Sequence, residues 1–82
     1  MKKVVYSKAA NKALTRLPTN ERKRVIAKVE QYAADPASLA GNVKKLQGRA
    51  GYRLRVGDWR VIFDEDDSVI DIEAIASRGS IY

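Results

Sequence analysis

The chain contains neither cysteine nor histidine among its 82 residues. The first absence excludes disulfides and thiolate metal sites, and it suits a reducing cytoplasm, the expected location. The second removes the commonest zinc ligand and the commonest acid–base group at neutral pH. Prolines are few: Pro18 and Pro36 are the only two, so each marks a definite break. No apolar run approaches the roughly 18–20 residues that a membrane span needs, and no membrane partner is expected. Met1-Lys2-Lys3 begins like a basic leader, yet only Val4, Val5 and Tyr6 follow before polar residues return, too few for a secretory apolar region.

Hydrophobic residues make up 45% and charged residues 32%, proportions of a folded domain and too apolar for a disordered chain. At this length folding removes roughly 60–65% of the unfolded surface from water, enough for one thin core and hence one domain over residues 1–82. The net charge of +6 favours an anionic partner. Its distribution is uneven. Residues 1–31 hold nine basic and two acidic side chains, and residues 44–60 hold Lys44, Lys45, Arg49, Arg53, Arg55 and Arg60 against Asp58 alone. Residues 61–77 have no basic side chain and six acidic ones.

Val4-Val5-Tyr6, β-branched and aromatic, reads as a strand. Ser7 can cap a helix over about residues 8–17, with Ala10, Leu14 and Leu17 at helical spacing. Pro18 breaks it, and Thr19 or Asn20 can cap a second helix over about 21–34. There Val25, Ile26, Val29, Tyr32 and Ala33 form one stripe, while Arg22, Lys23, Arg24 and Lys28 stay largely solvated, available to RNA phosphates or to water alone. Asp35-Pro36 ends that helix. Residues 36–51 read as a connector. Three alternating segments follow, joined by turns at Gly57-Asp58 and Asp66-Asp67. The expected architecture is α+β in two layers: an N-terminal strand and a helical hairpin packed on an antiparallel meander of three strands.

A two-residue turn at Gly57-Asp58 pairs Val56 with Trp59, Leu54 with Val61 and Tyr52 with Phe63, all on one apolar face. Trp59 therefore reads as a core side chain rather than a base-stacking one. The same register sets Arg55 opposite Arg60, with Arg53 beside them. Like charges facing across strands are unfavourable, so a sequence selected for stability alone would avoid the pair. An Asp66-Asp67 turn would bring Glu73 opposite Arg60 and relieve one arginine, leaving an ordinary solvated face. Arg53 and Arg55 stay unpaired in that scheme, and clustered unpaired arginines suit a phosphate, which each can contact through two parallel hydrogen bonds. The run Asp64-Glu65-Asp66-Asp67 points to alternate sides and reads as a solvated turn, not a metal site.

The segments Lys45-Leu46-Gln47-Gly48, Tyr52-Arg53-Leu54-Arg55-Val56-Gly57-Asp58-Trp59-Arg60-Val61-Ile62-Phe63 and Ile75-Ala76-Ser77-Arg78-Gly79-Ser80-Ile81-Tyr82, in this order behind a strand and a helical hairpin, resemble the RelE branch of the RelE/ParE toxin superfamily. The likeness covers nearly the whole chain; the arginine hairpin and the ending are its specific parts, and the helical half is generic. It implies a RelE-like fold and a small endoribonuclease of bacteria or archaea that cuts mRNA in the ribosomal A site. It also implies neutralisation by a cognate antitoxin in a toxin–antitoxin hetero-oligomer.

The resemblance places Arg55, Arg60, Arg78 and Tyr82 at catalytic positions and leaves Lys45, Arg49 and Arg53 to hold RNA. The implied reaction, attack of a ribose 2′-hydroxyl on the adjacent phosphate, needs charge stabilisation and proton transfer but no metal or other cofactor. One departure matters. Family members often carry lysine at the first two basic positions, where this chain has Arg53 and Arg55, and arginine cannot act as a general base. The base is then Tyr82, a carboxylate such as Asp71 or Glu73, or water, unless positioning by the ribosome suffices. The competing functions are a ParE-like gyrase poison on the same fold, which generally lacks these arginines and the arginine–tyrosine ending, and a non-catalytic nucleic-acid-binding module.

Overall fold

Ser7 fixes the start of the helical half. It follows strand β1 (Lys3–Tyr6) and precedes helix α1 (Lys8–Arg16). Its hydroxyl accepts the Ala10 N–H at 3.0 Å, as an N-cap does, and donates to the Glu73 carbonyl at 2.8 Å, so the cap also ties the helix to a distant strand. The computed structural model describes residues 2–77.

Helix α2 spans Thr19–Ala34 and starts two residues earlier than the sequence reading placed it. Neither Thr19 nor Asn20 caps it. Pro18 occupies the N-cap, and its carbonyl accepts the Arg22 N–H at 2.9 Å; proline has no N–H of its own to satisfy there. The expected apolar stripe is buried at Val25, Val29, Tyr32 and Ala33. A 3₁₀ turn over Pro36–Asn42 then brings in buried Leu39.

The segment expected to be mere connector contains a fifth strand. Strand β2 (Val43–Lys45) pairs antiparallel with β3 (Tyr52–Val56), followed by β4 (Trp59–Glu65) and β5 (Val69–Ser77). Strand order is β1-β5-β4-β3-β2, with β1 parallel to β5 and the other pairings antiparallel. The meander thus has four strands rather than three. Helix α1 lies over β5 and β1, and α2 over β1, β3 and the 3₁₀ turn. Between the layers Leu54, Val56, Val61, Phe63, Ile70, Ile72 and Ile75 meet Ala10, Leu14, Val25 and Val29. Trp59, partly buried, packs against this core. At the centre Phe63 contacts the rings of Tyr32 and Tyr52, with centroids 5.1 and 5.6 Å away. Among the described residues no helix is long and apolar enough to cross a membrane.

The β3–β4 register is the one the Gly57-Asp58 turn dictates: Val56↔Trp59, Arg55↔Arg60, Leu54↔Val61 and Tyr52↔Phe63. Gly57 has φ +58°, the left-handed backbone such hairpin turns require. The β4–β5 register departs from expectation. Asp66 accepts the backbone N–H groups of Ser68 and Val69, each at 2.8 Å, and its own N–H reaches the Val69 carbonyl at 3.0 Å. This wider turn pairs Glu65 with Ile70, and the register shifts again between Phe63↔Ile72 and Ile62↔Ala74, leaving Glu73 as an extra, bulged residue. Arg60 consequently faces Ala76, not Glu73.

Candidate nucleic-acid interface

Helices cover one face of the sheet; the other carries the cations. Arg55 and Arg60 are directly opposite on β3 and β4, and Lys44 is opposite Arg53 on β2 and β3. Directly paired residues hold their Cβ atoms about 5 Å apart, so the register alone concentrates these side chains. Continuing the β2–β3 register by one residue sets Asn42 level with Arg55, which makes a row Asn42, Arg55, Arg60 beside a row Lys44, Arg53. These five residues and Gly41 line a depression of about 140 Å³. Lys44 and Arg53 also line an adjoining groove of about 440 Å³ with Lys45, Leu46, Gln47 and Arg49. The loop behind this groove is closed by the Leu46 N–H on the Gly51 carbonyl at 3.0 Å. Gly51, at φ +112°, stands so close to β4 that a Cβ would lie 3.0 Å from the Phe63 carbonyl oxygen.

The structure therefore gathers Lys45, Arg49, Arg53, Arg55 and Arg60, all singled out from sequence, around two joined depressions. Arg78 and Tyr82 lie outside the described residues; the described chain ends at Ser77, opposite Trp59. Lys44 and Asn42 are among the lining residues that were not assigned to the site from sequence. Lys44 counted only as charge and Asn42 not at all, because the strand that holds Lys44 and follows Asn42 is three residues long and carries no readable alternation.

Among the described residues no carboxylate forms an ion pair with Lys44, Arg53, Arg55 or Arg60. The Arg60 Nη1 instead donates to its neighbour's carbonyl, Trp59 O, at 3.3 Å. Glu73, expected to neutralise Arg60, pairs with Arg49 at 3.0 Å. Asp71 lies opposite Asp64, a second like-charge pair at the acidic end of the same sheet face. The face is thus cationic at one end and anionic at the other, which directs a polyanion to the arginine end. Among the described residues no group of three or more candidate ligands could hold a metal ion. Asp66, in the acidic run, is committed to its turn, and these hydrogen bonds hold its carboxyl below the usual aspartate range.

On the helical side Arg24 is not simply solvated. Its guanidinium lies against the β3–β4 turn, where a Cβ on Gly57 would meet it at 3.1–3.3 Å. Away from the cleft, the Tyr32 hydroxyl donates to Glu65, which also takes Lys2 at 2.8 Å, and burial with that bond raises the Tyr32 ionisation well above the normal tyrosine range. The Tyr6 hydroxyl is buried without a hydrogen-bond partner among the described residues, and burial raises its ionisation too. What the cleft can do chemically is hold phosphates at several points and stabilise added negative charge on one of them.

Comparison with known proteins agrees with this fold. Residues 4–82 match the family described as the ParE toxin of the type II toxin-antitoxin system parDE. No curated protein matches significantly in sequence. Among solved structures, the chain is similar to the archaeal RelE-RelB complex from Pyrococcus horikoshii OT3, at 31% identity over 98% of both chains and a TM-score of 0.81. It is also similar to the RelB-RelE antitoxin-toxin complex from Methanococcus jannaschii, at 26% identity, 95% and 94% coverage and a TM-score of 0.74. The intact E. coli RelBE complex, at 17% identity, 99% and 100% coverage and a TM-score of 0.73, shares the fold. With the family match covering nearly its whole length and an archaeal RelE relative above 30% identity, the chain belongs to the RelE/ParE superfamily of type II toxin–antitoxin toxins, as a RelE-type member.

Proposed function

We propose that this toxin is a metal-independent, ribosome-dependent endoribonuclease that cuts mRNA in the A site and so stops translation in the cytoplasm. The observation that carries the reading is the cluster of cations Lys44, Arg53, Arg55 and Arg60 around one small depression, none of them in an ion pair among the described residues. Such a cluster opposes stability and suits a phosphate. Arg55 and Arg60 face the scissile phosphate and stabilise the pentacovalent phosphorane formed when the ribose 2′-hydroxyl attacks. Products are a 2′,3′-cyclic phosphate and a 5′-hydroxyl. Lys44, Lys45, Arg49 and Arg53 hold the flanking chain, and Arg78 completes the charge, as the family resemblance implies.

Neither described carboxylate suits the base. Asp71 faces Asp64 at the far end of the sheet, and Glu73 is engaged by Arg49. Tyr82 or water remains, with the ribosome aligning the 2′-hydroxyl for in-line attack. The partner is a cognate antitoxin, by analogy with the archaeal RelE proteins crystallised with RelB. A polypeptide carrying acidic groups suits the +6 chain and its exposed cations.

Induction in bacteria, with 5′ ends mapped on translated and untranslated copies of one transcript, tests the reading. Cuts within reading frames, confined to translated copies, are expected. Intact transcripts with double-strand DNA breaks would instead favour the gyrase-directed activity of ParE toxins.

A further inference from the structure

Phosphate contacts position a nucleic acid but carry no sequence information; that comes from groups that meet base edges. In the smaller depression four of the six described lining residues are cations and Gly41 has no side chain, which leaves Asn42 as the only neutral polar side chain among the described residues there. Asn42 is exposed, and its carboxamide has no hydrogen-bond partner among the described residues. It stands at the end of the 3₁₀ turn, where the continued β2–β3 register places it level with Arg55, itself opposite Arg60.

We propose that Asn42 reads the edge of the nucleobase adjoining the phosphate held by Arg55 and Arg60, and so sets the base preference of the toxin. This rests on the endoribonuclease reading given above. A carboxamide presents one acceptor and one donor side by side. Adenine offers the complement twice, its N6 amino group beside N7 and again beside N1, so asparagine pairs with it through two hydrogen bonds. Single-stranded RNA exposes both edges. Arg55 and Arg60 fix the backbone, Lys44 and Arg53 fix the neighbouring phosphate, and the base between them is brought to Asn42.

The test is a translation extract supplied with a transcript library randomised at the cut codon, with cleavage rates read by 5′-end sequencing. The unaltered protein, Asn42→Ala and Asn42→Ser are compared; the exposed position makes both variants compatible with folding. The unaltered protein is expected to favour adenine at one position by about tenfold. In both variants cutting at adenine-bearing targets should fall about tenfold while other targets stay within about threefold, so that the preference flattens. Preference retained by both variants, or an equal loss on every target, overturns the inference. If the unaltered protein cuts without preference at any position, this inference alone fails. If it cuts nothing, the endoribonuclease reading fails and takes the inference with it.

Discussion

Arg55 faces Arg60 across the β3–β4 hairpin with no carboxylate paired to either among the described residues. Directly opposed like charges destabilise an antiparallel pair, typically by a few tenths of a kcal/mol to about 1 kcal/mol. Stability and function should then separate on substitution. Arg55→Ala and Arg60→Ala are each expected to lower single-turnover mRNA cleavage by about 2–4 kcal/mol of transition-state stabilisation, some 30- to 1,000-fold. Thermal unfolding of the same variants should show stability unchanged or slightly raised. A drop in melting temperature with full cleavage would reverse the assignment.

That hairpin was legible in the sequence because two constraints agree. A glycine-initiated two-residue turn fixes the register, and three apolar pairs on one face admit no slip. The adjoining β4–β5 pairing was not legible, since Asp66 draws Ser68 and Val69 into a wider turn and Glu73 bulges out of the ladder. Side-chain capping of a turn and a bulge held by the Ser7 hydroxyl leave no periodic signal in the chain. Strand β2 was hidden for a different reason: three residues cannot show alternation, and its place depends on pairing with β3. Three of the six described lining residues of the smaller depression stand on β3 and β2, and Asn42 directly precedes β2, so missing the strand meant missing Lys44 and Asn42.

Two tyrosines should respond oppositely to loss of one oxygen. Tyr6 has a buried hydroxyl without a described partner, so Tyr6→Phe should leave stability unchanged or raise it by up to about 1 kcal/mol. Tyr32 donates to Glu65, and Tyr32→Phe leaves that partly buried carboxylate short of a donor, a loss of about 1–3 kcal/mol. The folded-state ionisation of Tyr32 is raised, so the protonated phenol's contribution is complete below the unfolded value of about 10 and lost as pH rises beyond it. Denaturant melts from pH 7 to 11 should show a steeper alkaline decline in the unaltered protein than in Tyr32→Phe.

Glu73 and Arg49 form an ion pair with side chains 42% and 45% exposed, so its contribution to stability is at most about 1 kcal/mol. Its effect on RNA should be larger than its effect on folding. Glu73→Gln removes a negative charge beside the groove and breaks the Glu73–Arg49 ion pair. Affinity for single-stranded RNA at low salt should rise several-fold, and the slope of log affinity against log salt should steepen by up to about 0.7, the increment for one added phosphate contact. An unchanged slope would show that Arg49 does not reach the RNA.

Arg55→Lys distinguishes charge from proton transfer at the centre of the cleft. Lysine keeps the positive charge but loses the planar pair of donors, so its cleavage rate should lie between those of the unaltered protein and Arg55→Ala. The opposing Arg60 cation disfavours a second charge and lowers the ionisation of a lysine placed there below its usual value near 10.4. The variant thus acquires a titratable group at a position where arginine stays protonated throughout the measurable range. If the residue acts by stabilising phosphorane charge, the rate of Arg55→Lys relative to the unaltered protein should fall as pH rises from 7 to 10, because the ammonium is lost. If a base is what the cleft lacks, the same ratio should climb over that interval as neutral lysine takes the 2′-hydroxyl proton. The arginine cluster, without an ion-paired carboxylate among the described residues, predicts the fall, and single-turnover pH–rate profiles of the two proteins read it directly.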